Sequence, residues 1–489
     1  MTHRQKKVEK HSFDYDLLVL GSGPAGVHGA VQAAKLKKKV AIIEKTPNKL
    51  GGALVHTGTI PSKTMREVLA AVHSINEHVG NHWVHRLIDN ISSKSLLGRA
   101  FSVAKEEETL IKKHLKTNGI EVITGHGHIE DEHTLRVIPP NGNPSKVTGK
   151  VILVSTGSRP RRPDNIPFDG WRVVDSDDIL QLENLPSSIL IFGAGVIGCE
   201  FACIFSALGV KTTIVDTRSR IMQSIDREIS EELMKTMEDI GVQFKLGYQL
   251  KHITHDGPSV ISEFHQEQIA SDLFFFAAGR VSTTKHIGLK RVGIETNERG
   301  TILVNHHFQT SMSSIYAAGD AIGPPALAAT SMVQGRLAVC HAFGVQTKGF
   351  PPQYPIGVYT IPELSTVGYS EEQVQQQGID YVVGRANYDE VARGYIRGDS
   401  HGLLKIIACK KTQQLLGIHI VGADAANLIH IGLCCMLAKM ALQELINSVI
   451  FNFPTLAESY RVAAFNALNK IYPTGIIEDP PKDENNKAA

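Results

Sequence analysis

Two short stretches combine the residue types and spacing needed to hold a nucleotide. Gly21-Ser22-Gly23-Pro24-Ala25-Gly26 follows the apolar run Tyr15-Asp16-Leu17-Leu18-Val19-Leu20, and Gly193-Ala194-Gly195-Val196-Ile197-Gly198 follows Ser188-Ile189-Leu190-Ile191-Phe192. In a Gly-x-Gly-x-x-Gly turn between a strand and a helix, the first glycine makes the turn and the second lets backbone approach a pyrophosphate. The third lets the helix pack closely on the strand. The free N–H groups and positive dipole end of the helix then face the phosphates. Each stretch is followed by a second strand that ends in an acid, Val40 to Glu44 and Lys211 to Asp216, at the same spacing from the first glycine. Such an acid accepts from ribose hydroxyls. Two complete units predict two dinucleotide sites on one chain. In the second, Asp216 suits the 2′-hydroxyl of NAD, while Arg218 and Arg220, just past Thr217, suit the 2′-phosphate of NADP.

The elements that must position these residues are readable in order. Buried parallel strands are expected at Tyr15 to Leu20, Val40 to Glu44 and Val151 to Val154, the last running into Ser155-Thr156-Gly157. A helical region is expected over Lys63 to Asn118, and short strands near Glu121 and Thr134. The second unit closes with Phe274-Phe275-Phe276-Ala277-Ala278-Gly279. Ile315 to Ala318 forms another strand, ending in Gly319-Asp320, and a helix follows over Ala328 to Phe343. From Gly349 the composition shifts at Pro351, Pro352 and Pro355. Strands are expected at Gly357 to Thr360, Ser365 to Gly368, Leu403 to Ala408 and Leu415 to Val421, and helices at Ala425 to Met440 and Leu456 to Tyr472. The fold class is therefore α/β, with two Rossmann-like dinucleotide-binding domains and a C-terminal α+β domain. The expected division is 13–157 and 280–348 for the first dinucleotide domain, 158–279 for the second, and 349–475 for the C-terminal domain. The ends 1–12 and 478–489 read as disordered tails.

Bulk properties narrow the function. In 489 residues, 51 basic side chains balance 49 acidic ones, giving a net charge of +2 and no reason to expect nucleic acid or an anionic membrane as partner. Met1 to His11 lacks the apolar run of a secretory signal, and Leu428 to Leu442 is too short to cross a bilayer and carries His430 and Lys439. The six cysteines show no Cys-x-x-Cys pattern and no clustered histidines, so no zinc site is expected. Cys199 and Cys203, and the adjacent Cys434 and Cys435, read as small buried hydrophobes. Sparse thiols suit a reducing cytoplasm.

Between the two units lies Gly51-Gly52-Ala53-Leu54-Val55-His56-Thr57-Gly58-Thr59-Ile60-Pro61-Ser62-Lys63, opening into an amphipathic segment from Thr64 to Ile75. With the two glycine turns and Gly319-Asp320, it resembles the FAD-dependent pyridine nucleotide-disulfide oxidoreductases, the family of glutathione reductase and dihydrolipoamide dehydrogenase. The likeness runs from about Asp14 to Tyr472. The family pattern at this stretch is Gly-Gly-x-Cys-x-x-x-Gly-Cys-x-Pro-x-Lys, and Leu54 and Thr59 stand at its two cysteine positions. Where the disulfide reductases carry His-Pro-Thr-x-x-Glu, with a histidine that moves the proton of the dithiol, this chain has Phe453-Pro454-Thr455-Leu456-Ala457-Glu458. Within the family, its transhydrogenase branch is similar at Gly58 to Lys63, Gly193 to Glu200, Val358 to Glu363 and Phe451 to Thr455.

The resemblance implies one FAD per subunit in the first site. It would be held by Gly21, Gly23, Gly26, Glu44 and Lys45, then by Gly51, Gly52, Ala53, Thr57, Gly58 and Lys63. Gly127, Thr156 and Gly157 complete the set with Gly319, Asp320, Leu327 and Ala328. It implies NAD(H) and NADP(H) as substrates in the second site, on Gly193, Gly195, Val196, Ile197, Gly198, Glu200, Asp216, Thr217, Arg218, Arg220 and Gly279. It further implies an ion pair of Lys63 with Glu200 at the reacting atoms, and a homodimer or higher homo-oligomer built through the C-terminal domain. His56 is a candidate for tuning flavin protonation. Without thiolate or histidine, the expected reaction is hydride exchange between NADPH and NAD⁺ through FAD by a ping-pong course. The alternatives are an NAD(P)H oxidase or diaphorase, a dihydrolipoamide dehydrogenase-like enzyme, and a non-catalytic FAD-binding scaffold.

Overall fold

The computed structural model describes residues 13–79, 93–255, 257, 259–399 and 401–473. The expected tails lie outside them. The chain forms two compact units, the first from the residues up to Ile60 with Phe101–Arg159 and Arg280–Pro351, the second from Pro61–Ala100, Pro160–Gly279 and the residues from Pro352 on.

In the first unit a parallel core runs in the order Glu121–Thr124, Val40–Glu44, Tyr15–Leu20 and Ser145–Val154, and Ile315–Ala317 pairs with the last of these. The first half of Ser145–Val154 instead pairs antiparallel with Thr134–Ile138, which pairs with His126–Ile129. The strands read as continuous apolar runs because both faces are covered. Leu17, Val19, Ile42 and Leu153 pack with residues of the helices Pro24–Lys35 and Ala328–Ala342. Leu18, Leu20, Ile43 and Ile152 pack with Leu135, Val137 and Ile129. The two helices touch through glycine, since a Cβ on Gly335 would lie 2.0 Å from the Ala25 carbonyl oxygen.

The second unit holds a five-stranded parallel sheet in the order Gln243–Leu246, Lys211–Asp216, Ser188–Phe192, Leu273–Phe276 and Val173–Val174. It also holds a three-stranded antiparallel sheet of Leu250–Thr254, Val260–Phe264 and Gln268–Ser271. Its C-terminal module is an antiparallel sheet in the order Ile356–Val358, Leu364–Gly368, Leu415–Val421, Leu403–Cys409 and Tyr381–Asn387, with helices Ala425–Leu437, Leu442–Asn447 and Ser459–Ile471. The α/β class with two Rossmann-like sheets and a C-terminal α+β module is the architecture found.

Several boundaries differ from expectation for physical reasons. Within the expected helical region the described residues form Thr59–Val79, which starts four residues before Lys63, and Ser93–Thr117; residues 80–92 lie outside the described residues. The strand expected over Gly357 to Thr360 stops at Val358, because the Tyr359 N–H and the Thr360 carbonyl bond side chains instead of a neighbouring strand. The helix from Ala425 ends at Leu437, with Lys439 following at a φ of 55°. The helix expected from Leu456 opens as a 3₁₀ turn, Leu456–Glu458.

The close helix contact yields a stability test. Gly335→Ala must displace backbone and is expected to lower unfolding stability by about 2–3 kcal/mol. Gly98→Ala, where an added Cβ meets nothing within 4 Å on an exposed helix face, should raise it by about 1 kcal/mol. Denaturant midpoints of the two variants should move in opposite directions. A shared direction contradicts the packing argument.

Candidate functional site

In the first unit, Gly21 turns the chain at φ 96°, and a Cβ on Gly26 would lie 2.1 Å from the Gly21 carbonyl oxygen, so helix Pro24–Lys35 sits directly on the turn. Ser22 stitches the site together. Its N–H and Oγ donate to Glu44 Oε2 at 3.0 and 2.6 Å, and its carbonyl accepts from Gly51 N–H at 3.0 Å. Thr46 N–H donates to Glu44 Oε1 at 3.0 Å, so the acid that ends the second strand is oriented on both oxygens. Gly51 and Gly52 both adopt positive φ, and a Cβ on Gly52 would come within 3.2 Å of Gly23 Cα. Ala53 lies in helix Gly52–His56, Thr57 caps it, and Gly58 packs on the Ala53 carbonyl. Gly127 accommodates Leu20, whose Cδ2 would lie 2.2 Å from an added Cβ.

This cradle has the marks of a site built for a ligand. An added Cβ on Gly23 or Gly157 would meet nothing within 4 Å. Thr156 Oγ1 is buried with no hydrogen-bond partner among the described residues, a costly state for a hydroxyl that a ligand atom relieves. Asp320 accepts from Ser158 Oγ at 2.5 Å, and Gly319 N–H donates to Gln334 Oε1 at 2.9 Å. Leu327 is the N-cap of helix Ala328–Ala342. The residues present fit a dinucleotide laid along the glycine turn. Lys45 is exposed at the end of the second strand. His56 hydrogen-bonds the Leu50 carbonyl through Nε2 at 2.9 Å, which engages that ring nitrogen in bracing the Leu50–Gly51 turn.

The second unit repeats the device. Gly193 lies at φ 122°, and a Cβ on Gly198 would fall 1.9 Å from its carbonyl oxygen. The space at Gly195 and Gly279 is open. Val196 and Ile197 form the first turn of helix Val196–Ala207. Asp216 accepts from Ala194 N–H at 2.6 Å and from Arg218 through its N–H, Nε and Nη2 at 2.8, 2.9 and 2.6 Å. Burial pushes its carboxyl up, but these hydrogen bonds and the guanidinium charge outweigh burial and hold it below the usual range. Arg220 is not brought to Asp216. It donates to Ser230 Oγ at 3.2 Å, to the Gln223 carbonyl at 3.0 Å and to Glu372 Oε1 at 3.4 Å.

Lys63 and Glu200 do come together. Lys63 Nζ contacts Glu200 Oε2, and their side chains are 23% and 5% exposed. Glu200 Oε1 accepts from Tyr359 N–H at 2.9 Å, and Lys63 Nζ sits 5.1 Å from the centre of the Tyr359 ring. One turn further along the Lys63 helix, Arg66 donates to the Thr360 carbonyl at 3.0 Å and to Glu363 Oε1 at 3.1 Å. Tyr359, Arg66 and Glu363 were not singled out from sequence. The signal available was the Val358-Tyr359-Thr360-Ile361-Pro362-Glu363 motif, which does not say which helix it meets.

Residues 15–335 match the sequence family pyridine nucleotide-disulphide oxidoreductase, and residues 354–464 match that family's dimerisation domain. The chain belongs to this family. It is thus an oxidoreductase of an FAD-dependent group that uses NAD(P). It is 42% identical over 460 residues to a protein of Mycobacterium bovis named soluble pyridine nucleotide transhydrogenase, covering 94% of this chain and 98% of that one. A protein of the same name from Escherichia coli is 36% identical over 467 residues, covering 94% and 100%. Among solved structures, LpdA from Mycobacterium tuberculosis superposes with a TM-score of 0.85 at 26% identity, covering 92% of this chain and 98% of that chain. The HOCl-induced flavoprotein disulfide reductase RclA from Escherichia coli superposes at 0.83 and 28%, covering 92% and 99%.

Family membership makes the thiols informative. All six cysteines are free. Cys199 and Cys203 are fully buried, as their helical spacing suggested, whereas Cys434 is exposed. Burial pushes the Cys199 thiol well above its usual value and the Cys203 thiol up to about 12. Among the described residues no group of His, Cys, Asp or Glu is arranged to hold a metal, and no helix is long and apolar enough to cross a membrane. Cys199 and Cys203 should therefore resist alkylation by iodoacetamide at pH 8 until the protein is unfolded, as read by peptide mass spectrometry. Labelling of either in the native protein contradicts their placement.

Proposed function

We propose that this chain is a cytoplasmic, homodimeric transhydrogenase that moves hydride between NADPH and NAD⁺. The observation that carries the reading is a subtraction. Both glycine cradles are complete, yet Leu54, Thr59 and Phe453 stand where disulfide reduction needs two thiols and a proton carrier. The relatives that bear the transhydrogenase name support it. Bound FAD supplies a centre that accepts and returns a hydride, so one nicotinamide leaves before the other enters.

The chain's own groups do the rest. Gly21, whose N–H is bonded to the Ile43 carbonyl at 2.9 Å, makes the turn, Gly23 and Gly26 would present backbone N–H groups and a helix N-terminus to the FAD pyrophosphate, and Glu44 would take a ribose hydroxyl. Gly51, Gly52, Thr57 and Gly58 shape the wall beside it. Thr156, Gly157 and Asp320 would hold it through polar contacts. Gly193, Gly195 and Gly198 seat the nicotinamide dinucleotide, with Asp216 reading a free 2′-hydroxyl and Arg218 and Arg220 a 2′-phosphate. The Lys63 ammonium favours negative charge at the reacting end, and Glu200 offsets its desolvation and fixes its direction.

The assay is NADPH-dependent reduction of thio-NAD⁺ by the FAD-loaded protein. Lys63→Met should lower kcat by about 100-fold with FAD retained. Arg218→Ala should raise KM for NADPH by about tenfold and leave KM for NADH nearly unchanged. Equal effects on both nucleotides would remove the role given to Arg218. Oxygen consumption faster than thio-NAD⁺ reduction would favour an oxidase.

A further inference from the structure

A second charged centre lies where the nucleotide-binding sheet meets the C-terminal module within the second unit. Lys405 is 1% exposed. Its Nζ contacts Asp226 Oδ1 at 2.9 Å, Glu228 Oε2 at 2.9 Å and Glu371 Oε2 at 2.6 Å. Arg385 grips Glu228 through Nε and Nη2 at 2.6 and 2.8 Å. A buried lysine ringed by carboxylates is strongly directional, because its loss would leave the buried Asp226 without the ammonium it contacts. Asp226 caps helix Arg227–Asp239 and also accepts from Glu371 N–H at 3.0 Å. The start of helix Glu371–Gln376 is thereby fixed against the end of the loop that begins at Asp216.

The fixed position puts Glu372 against Arg220. Glu372 Oε1 accepts from Arg220 Nη1 at 3.4 Å and from Arg227 N–H at 3.1 Å, with the Arg227 Nε at 3.9 Å. Glu372 Oε2 is buried and makes no hydrogen bond among the described residues. The grip on Arg220 is long and half-satisfied, and Arg227 stays beside the carboxylate if Arg220 leaves. We propose that Glu372 is a specificity-determining residue. It competes with the 2′-phosphate of NADP(H) for Arg220 and so restrains the affinity for the phosphorylated nucleotide.

This inference rests on the assignment of the loop after Asp216 to the nucleotide 2′-position. If Arg220 is parked on Glu372 in most molecules, apparent affinity for the 2′-phosphate falls by the fraction parked. Affinity for a nucleotide without that phosphate is untouched. An enzyme that must bind and release both nucleotides gains from such a brake, because neither product then holds the site. The Lys405 cluster acts one step back, as the anchor that keeps Glu372 in place.

The test is calorimetric titration of the FAD-loaded protein with adenosine 2′,5′-bisphosphate and with 5′-AMP, which differ only in the phosphate at issue. Glu372→Gln should tighten the bisphosphate by about fivefold, the scale of a partly exposed ion pair, and leave 5′-AMP unchanged. In Arg220→Ala the same change should give no gain. A purely structural role would weaken both ligands together. Unchanged or weaker bisphosphate binding in Glu372→Gln, or a gain that survives Arg220→Ala, overturns the inference. Arg218→Ala separates the two levels. If it leaves the ratio of the two ligands unmoved, the nucleotide assignment fails and this inference with it. If it lowers the ratio while Glu372→Gln moves nothing, this inference alone fails.

Discussion

An ammonium and a carboxylate largely withdrawn from water, Lys63 against Glu200, form the contact on which the second unit's arrangement depends. Such a pair is only as good as its geometry, because desolvation opposes it on both sides. Here the remaining carboxylate oxygen takes the Tyr359 N–H, and the Tyr359 ring lies beneath the ammonium. The Thr360 carbonyl is in turn held by Arg66, whose guanidinium pairs with Glu363. Three stretches distant in sequence are bound to one pair: the helix from Thr59, the helix that starts on Gly195, and the chain leaving strand Ile356–Val358. Truncating either partner would leave an uncompensated buried charge, so the pair specifies position more than it adds stability.

The two glycine cradles are built by one backbone device and finished differently. In both, a positive-φ glycine turns the chain and a later glycine lets the helix touch the turn. In the first, a hydroxyl closes the site, with Ser22 linking Glu44 to Gly51. In the second, a guanidinium does, with Arg218 folded back on Asp216. Neutral closure suits a cofactor that stays. A charged, exposed clasp suits ligands that come and go and differ by a phosphate.

Much of this was legible in the sequence because it rests on local rules. Glycine spacing, strand hydrophobicity and terminal acids report on a few adjacent residues, and they located both cradles and both parallel sheets. The contacts that position the site are long-range and left fainter traces. Tyr359 meets Glu200 through its backbone N–H, which any residue type supplies. Strand Tyr381–Asn387 carries Gly384 because helix Ser459–Ile471 passes so near that a Cβ would lie 2.0 Å from the Ala463 carbonyl oxygen, a reason invisible along the strand itself. Strand Leu250–Thr254 has one fully buried side chain, Ile253, and so shows almost no alternation. Lys405 reads as an ordinary charged residue in an apolar strand until the three carboxylates around it are known. Arg220, two residues from Arg218, read as its equal; in the fold it bonds Ser230, Gln223 and, in the C-terminal module, Glu372 rather than Asp216.

The central proposal is that electrons have one resting place in this protein, since Leu54 and Thr59 stand where the family pattern has its two cysteines. Anaerobic reductive titration of the FAD-loaded protein measures this directly. The account predicts complete bleaching after two electrons per FAD and full recovery of colour on adding NAD⁺. Uptake of four electrons per FAD, or a bleached protein that oxidised nicotinamide nucleotide fails to restore, would contradict it.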